Sequence, residues 1–172
     1  RSDGSVLRFD RNAIVIIDAT DQPIVHAQSL LTLDMLKKLG LNAEVQAGDW
    51  GTLITRRAVK EPIDKGGWSM FPYGAPAADY RDPIFGSFLR GNGAGAWFGW
   101  PTDPEMEGMR NAWMDSTDPA EQKALDARIQ LRAFETVPFI PLGQYLPPAA
   151  WRKSLTGMLK GAMPVFWNVA KG

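Results

Sequence analysis

The chain has no cysteine and a single histidine, His26. Disulfide scaffolds, thiolate zinc sites and cysteine nucleophiles are therefore excluded, as is a metal site built from several imidazoles. There is no net charge, because nineteen Lys and Arg balance nineteen Asp and Glu. No global positive field exists to hold nucleic acid or an anionic membrane, so neither is expected as a partner. No apolar run approaches the roughly 20 residues of a membrane-spanning helix. Arg1 to Ser5 has no apolar stretch of the signal-peptide kind and no initiator Met, which reads most simply as a mature product or an excised piece. Internal repeats and low-complexity segments are absent too. None of these absences fixes a cellular compartment.

What remains is ordinary globular composition: 172 residues, 45% hydrophobic and 22% charged. Seven Trp and thirteen Pro stand out. So many indoles suggest a demanding core or a stacking surface.

Ala13 to Ile17 is a continuous, mostly β-branched run and reads as a buried strand. Asp18 to Pro23 reads as a loop, with Pro23 placed to open a helix. Ile24, Ala27, Leu31, Met35 and Leu39 then recur at helical spacing, and Gly40 follows as a C-cap. Leu41 to Ala47 alternates as a second strand, so strand, helix and strand predict a parallel pair. Asp49 is placed to cap a short helix reaching about Val59. Trp68 to Phe71 reads as a third strand. Pro72 to Asp82 reads as an ordered loop, and Gly91 to Gly95 as another. Thr102-Asp103-Pro104-Glu105 and Asp118-Pro119-Ala120-Glu121 both signal helix starts. Met106, Met109 and Trp113 form the apolar stripe of the first helix; Leu125, Ile129 and Ala133 form that of the second. Residues 136–172 contain no acid and five prolines. Within them Phe139, Ile140 and Leu142 can form a short strand interrupted by Pro141. The pattern predicts an α/β fold: a mixed sheet of about four or five strands with helices on both faces.

Chemistry is less legible. His26 reads as a surface or partly buried histidine. Gly91 to Gly95 lacks the Gly-Lys-Ser/Thr of a phosphate loop, and no Gly-x-Ser-x-Gly occurs. Asp82, before Pro83, reads as a cap. Asp79 lies among small residues and prolines between Tyr73 and Tyr80. It is either a solvated carboxylate or the counter-charge of a ligand ammonium group framed by aromatics. Trp97-Phe98-Gly99-Trp100 either fills a core or walls a pocket. Trp50 and Trp113 read as core. The rival classes for the chain are a carboxylate-using enzyme, such as a hydrolase, and a structural or adaptor domain.

The order of motifs carries more than any of them alone. Leu36-Lys37-Lys38-Leu39-Gly40-Leu41-Asn42-Ala43-Glu44-Val45-Gln46 is followed by Asp49-Trp50 and Arg56-Arg57. Then come Gly66-Gly67-Trp68-Ser69-Met70, Ala78-Asp79-Tyr80-Arg81-Asp82-Pro83, Thr102-Asp103-Pro104-Glu105-Met106 and Val137-Pro138-Phe139-Ile140-Pro141-Leu142. Trp151-Arg152-Lys153-Ser154-Leu155-Thr156-Gly157 closes the series. In this order the chain resembles the extracellular solute-binding proteins of family 5, the peptide, dipeptide and nickel receptors of bacterial ABC importers.

The resemblance implies a periplasmic-binding-protein fold of class II, of which residues 1–137 form the second, ligand-clasping lobe. Residues 138–172 would be the return segment that completes lobe one. It implies a periplasmic or extracellular, envelope-associated protein that hands a peptide-like or small polar solute to permease subunits. No catalytic residue, metal or cofactor is implied for this lobe. Asp79 matches the aspartate that pairs with the ligand's amino group. Tyr73, Tyr80, Trp97 and Trp100 are the accompanying ligand-binding candidates. Where the family often carries Trp shortly before that aspartate, this chain has Gly74 and Ala75, which leaves room for a bulkier ligand. Alone, the lobe is expected to bind nothing measurable, and its orphaned C-terminal segment to favour self-association.

Overall fold

The computed structural model describes residues 13–146, 148–159, 161 and 165–172. Arg1 to Ser5 lie outside the described residues. The chain divides into two compact units, Arg1–Gly74 and Ala75–Gly172.

In the first unit, β1 (Ile14–Ala19), α1 (Pro23–Lys38), β2 (Ala43–Gly48) and α2 (Trp50–Arg56) follow one another. β1 and β2 pair in parallel, Ile14 opposite Ala43 and Ala19 opposite Gly48. On the other edge of β1, Ile16 bridges Met70, also in parallel. β1 is therefore central and buried along its whole length, which is why its residues are β-branched without alternation. The expected strand Trp68–Phe71 shrinks to this one bridge. The Ser69 hydroxyl accepts the Val15 amide at 3.1 Å, where a longer ladder would use a carbonyl.

Asp18 and Ala19, expected in a loop, continue β1. α1 opens at Pro23 as anticipated and ends in a Schellman motif. Gly40, at φ 77°, donates to Lys37 O, and Leu41 donates to Leu36 O. Asp49 caps α2 by accepting from the Thr52 amide at 2.6 Å, and α2 stops at Arg56, short of Val59. The core gathers Val15, Ile17, Ala19, Val25 and Leu53 under Trp50, Ile63, Trp68 and Phe71.

The helical spacing of the apolar residues holds, but it does not mark the buried face of α1. The stripe Ile24, Ala27, Leu31, Met35 and Leu39 faces solvent, with Leu31 64% and Met35 59% exposed. The buried helix residues are Val25 and Ser29. The inner face carries Ser29, held by the buried Asp18 carboxylate. Leu31→Gln and Met35→Gln should accordingly change the stability of the chain by no more than about 0.5 kcal/mol in urea titration. A loss above about 2 kcal/mol would mean a packed stripe.

The second unit holds three short 3-10 turns (Ala77–Tyr80, Ser87–Leu89 and Gly93–Gly95), then α3 (Pro104–Asp115) and α4 (Pro119–Thr136). Both helices start with proline at the first turn and an aspartate cap. Asp103 accepts from Met106 N, and Asp118 from Ala120 N. Met106 and Met109 of α3 pack on Leu125 and Ile129 of α4, with Leu89, Trp113 and Ala133 alongside. Leu155–Thr156 (β3) and Ala170–Lys171 (β4) pair antiparallel. No strand forms at Phe139–Leu142, where Pro141 lacks an amide hydrogen.

The class is α/β. The single mixed sheet of four or five strands is not what forms among the described residues: a two-stranded parallel sheet with one added bridge lies in the first unit, and a separate antiparallel pair in the second.

Candidate functional site

Asp79 sits in the 3-10 turn Ala77–Tyr80, where its amide donates to Pro76 O at 2.9 Å. The residue is exposed, and none of the described hydrogen bonds or ion pairs uses its carboxylate. Tyr80 next to it lies flat on Phe88, with centroids 5.2 Å apart and planes 4° apart. Phe88 is the buried hub. Trp97 tilts against it at 5.0 Å and Phe139 at 5.8 Å. Trp97 meets Phe98 edge-on, and Phe98 meets Trp100 in the same manner at 6.4 Å. The structure thus brings Tyr80 and Trp97 onto one ring and links Trp100 to them through Phe98. No local spacing marks Phe88 as the hub.

Tyr73 belongs to the first unit. It stacks on Trp50 at 6.4 Å and 21°, and the Arg57 guanidinium carbon lies 5.8 Å from its ring centroid. Both Trp50 and Tyr73 follow the carboxyl ends of parallel strands, Trp50 after β2 and Tyr73 after the Met70 bridge.

Asp82 caps a turn rather than a helix, accepting from the Ile84 and Phe85 amides, both at 3.0 Å. Partial burial pushes its pKa up. The two amides and Arg81 outweigh that and hold it below the ordinary carboxylate value.

The loop from Gly91 to Asp103 carries Trp97 and Trp100, and its base is pinned. Asp103 N donates to Gly91 O at 2.8 Å, and Gly93 N to Pro101 O at 2.9 Å. A Cβ on Gly91 would meet the Asp103 backbone at 2.8 Å, so glycine is required there. Trp100 has φ 49°, a left-handed conformation that a bulky side chain rarely takes. Asp103 itself is clamped by Arg132, whose Nε and Nη2 donate to its two oxygens at 2.9 and 3.1 Å. That fork is the main reason its carboxyl is held below the usual range.

The sign of the pH effect follows. A depressed carboxyl stabilises the fold above its unfolded pKa, and the benefit is lost as pH falls through the folded value. Acid unfolding of the second unit should therefore steepen below about pH 4, and Asp103→Asn should flatten that limb. Urea midpoints between pH 2 and pH 7 check this, and identical slopes in both proteins would contradict it.

A cleft of about 210 Å³ runs between Leu89, Gly91, Thr102, Asp103, Met106 and Arg132, and contains none of the five candidates. Another of about 180 Å³ is walled by Tyr80, Asp82, Ile129 and Gln130.

No family model matches the chain. Over 158 residues it is 37% identical to a probable peptide ABC transporter periplasmic-binding protein of Sinorhizobium fredii, a match that covers 92% of this chain. The match is consistent with the resemblance to a fragment of a family 5 solute-binding protein. It spans 30% of the length of that relative.

A serine, a histidine and an aspartate meet in the first unit. Asp18, buried at the end of β1, accepts from the Ser29 hydroxyl at 2.7 Å, and the His26 Nδ1 lies 2.6 Å from its other oxygen. Residue types match a hydrolase triad, but the order does not. The carboxylate stands between serine and histidine, so the imidazole cannot take the hydroxyl proton. Ser29 is fully buried, its one hydroxyl hydrogen shared between Asp18 and the more distant Val25 O at 3.2 Å. The cluster fastens α1 to β1. His26 was legible as partly buried. Asp18 as its partner was not, because it read as a loop residue.

Proposed function

We propose that the protein to which this chain belongs is the substrate-binding component of a bacterial ABC importer. It holds a peptide-like or small polar solute between two lobes, in the periplasm or at the outer face of the cell, and hands it to permease subunits. The observation that carries this reading is the homology over 92% of the chain to a peptide-transporter binding protein. The topology agrees with it. β1 lies between β2 and the Met70 bridge, and α1 leads to one side while the later chain returns to the other. Open α/β sheets bind ligands beyond the carboxyl ends of strands at such a reversal. Trp50 and Tyr73 stand at that end. Asp79, Tyr80, Trp97 and Trp100 are the proposed contacts of the second unit, with Asp79 meeting the solute's ammonium group.

In the same reading, residues 1–137 are lobe two and 138–172 return to lobe one. Ile140, Leu142, Leu146, Phe166 and Trp167 are exposed, Trp167 by 89%, as a segment awaiting a partner would be. In isolation, that surface should draw copies of the chain together. Sedimentation of residues 1–172 should show association that residues 1–137 lack; two monomers with a protease-resistant tail would contradict it.

The functional test is a thermal-shift screen of the full-length protein against di- and oligopeptides, opines, sugars and metal chelates. A binder at a hundred times its dissociation constant adds about 2.7 kcal/mol to the folded state. The reading expects peptides to give the shift and to be recovered intact. Hydrolysed peptide, or a shift from sugars alone, would overturn it.

A further inference from the structure

Two loops carry the second unit's candidate contacts, and one ion pair on α3 holds both. Arg110 is 5% exposed, and each of its guanidinium nitrogens has a partner. Nε donates to Pro83 O at 3.0 Å, Nη2 to Ile84 O at 3.4 Å and Nη1 to Glu107 Oε1 at 2.7 Å. The same Glu107 oxygen accepts the Gly91 amide at 2.8 Å. Pro83 and Ile84 directly follow the stretch Asp79–Asp82. Gly91 opens the loop that carries Trp97 and Trp100. Where the two loops meet, Tyr80 and Trp97 both pack against the Phe88 ring. A guanidinium this buried must keep its partners, so neither loop can slide along α3 without stranding a charge or a carbonyl.

We propose that Glu107 and Arg110 are positioning residues that set, from α3, the placement of the Asp79–Tyr80 turn relative to the Trp97–Trp100 loop. Neither side chain needs to touch a solute. The functional meaning rests on the solute-binding reading; the positioning itself does not.

The test uses the whole chain. The indole N–H signals of Trp97 and Trp100 and the ring signals of Tyr80 are followed by NMR. Amide exchange at Gly91 is measured alongside, and far-ultraviolet circular dichroism reports α3 and α4. Glu107→Ala should keep its helices, shift the Tyr80 and Trp97 signals together and speed Gly91 exchange about tenfold or more. Glu107→Gln keeps an acceptor oxygen and should restore all three. Should Glu107→Ala not fold, Arg110→Lys replaces it: the charge stays, the fork is lost, and the same signals should shift. Unchanged Tyr80 and Trp97 signals in a folded Glu107→Ala or Arg110→Lys chain would overturn the proposal. Titration of the full-length protein with trialanine separates the two readings. Wild type that does not bind trialanine counts against the peptide reading and leaves the NMR result standing. Wild type that binds while Glu107→Ala binds equally well would show that the placement does not serve the solute.

Discussion

Ile16→Ala is expected to cost the first unit about 3–4 kcal/mol, near the upper half of the range for truncating a buried aliphatic side chain. Ile16 has no exposed surface. It is opposite Val45 of β2 on one edge and bridges Met70 on the other, so neither neighbouring backbone can move in to fill the space. Removal also weakens the contact that recruits the Met70 segment, whose amide and carbonyl are held by Val15 and Ile17. Urea unfolding followed by Trp50 and Trp68 fluorescence would show an earlier midpoint with α3 and α4 little changed. A loss below about 1 kcal/mol would mean that β1 is not the centre of this unit.

The residues that were legible are those whose role is local. The β-branched run of β1, Pro23 and Gly40 at the two ends of α1, and the Asp103 and Asp118 caps act through neighbours within a few positions, so sequence spacing displays them. The stripes Met106–Met109 and Leu125–Ile129 were legible because α3 and α4 pack on each other. The failures have a shared cause. Which face of α1 turns inward was not legible, because Ser29, buried there with Val25, owes its place to Asp18 eleven positions earlier. Trp68–Phe71 looked like a strand, but its pairing is limited by what Val15 accepts across a separation of more than fifty residues. In the candidate site, aromatic types and the Asp79 turn were visible. Their arrangement around Phe88, and the Arg110–Glu107 tie beneath them, depend on long-range contacts that spacing does not encode.

Asp79→Asn should weaken binding of a free-amino peptide to the full-length protein by about 2–5 kcal/mol, the usual loss for one partner of a desolvated charge pair. That corresponds to roughly thirty-fold at the low end and several thousand-fold at the high end. The carboxylate is exposed in this chain, where water screens it. A cleft that closes over it removes that water, and the same pair gains strength as the effective dielectric falls. The fold should be indifferent. The turn is held by the Asp79 amide and Pro76 O, a bond that asparagine keeps, so the melting temperature without ligand should not move. An affinity equal to wild type would remove Asp79 from the site.

The most direct measurement is calorimetry of the full-length protein with paired peptides that differ in one group, a free tripeptide and its N-acetylated form. The free peptide should bind without being cleaved. Acetylation, which deletes the ammonium charge, should cost wild type about as much as Asp79→Asn does, and should cost the Asp79→Asn protein almost nothing more. Equal binding of both forms by wild type, or cleavage of either, would contradict a solute receptor that holds its ligand by the amino terminus.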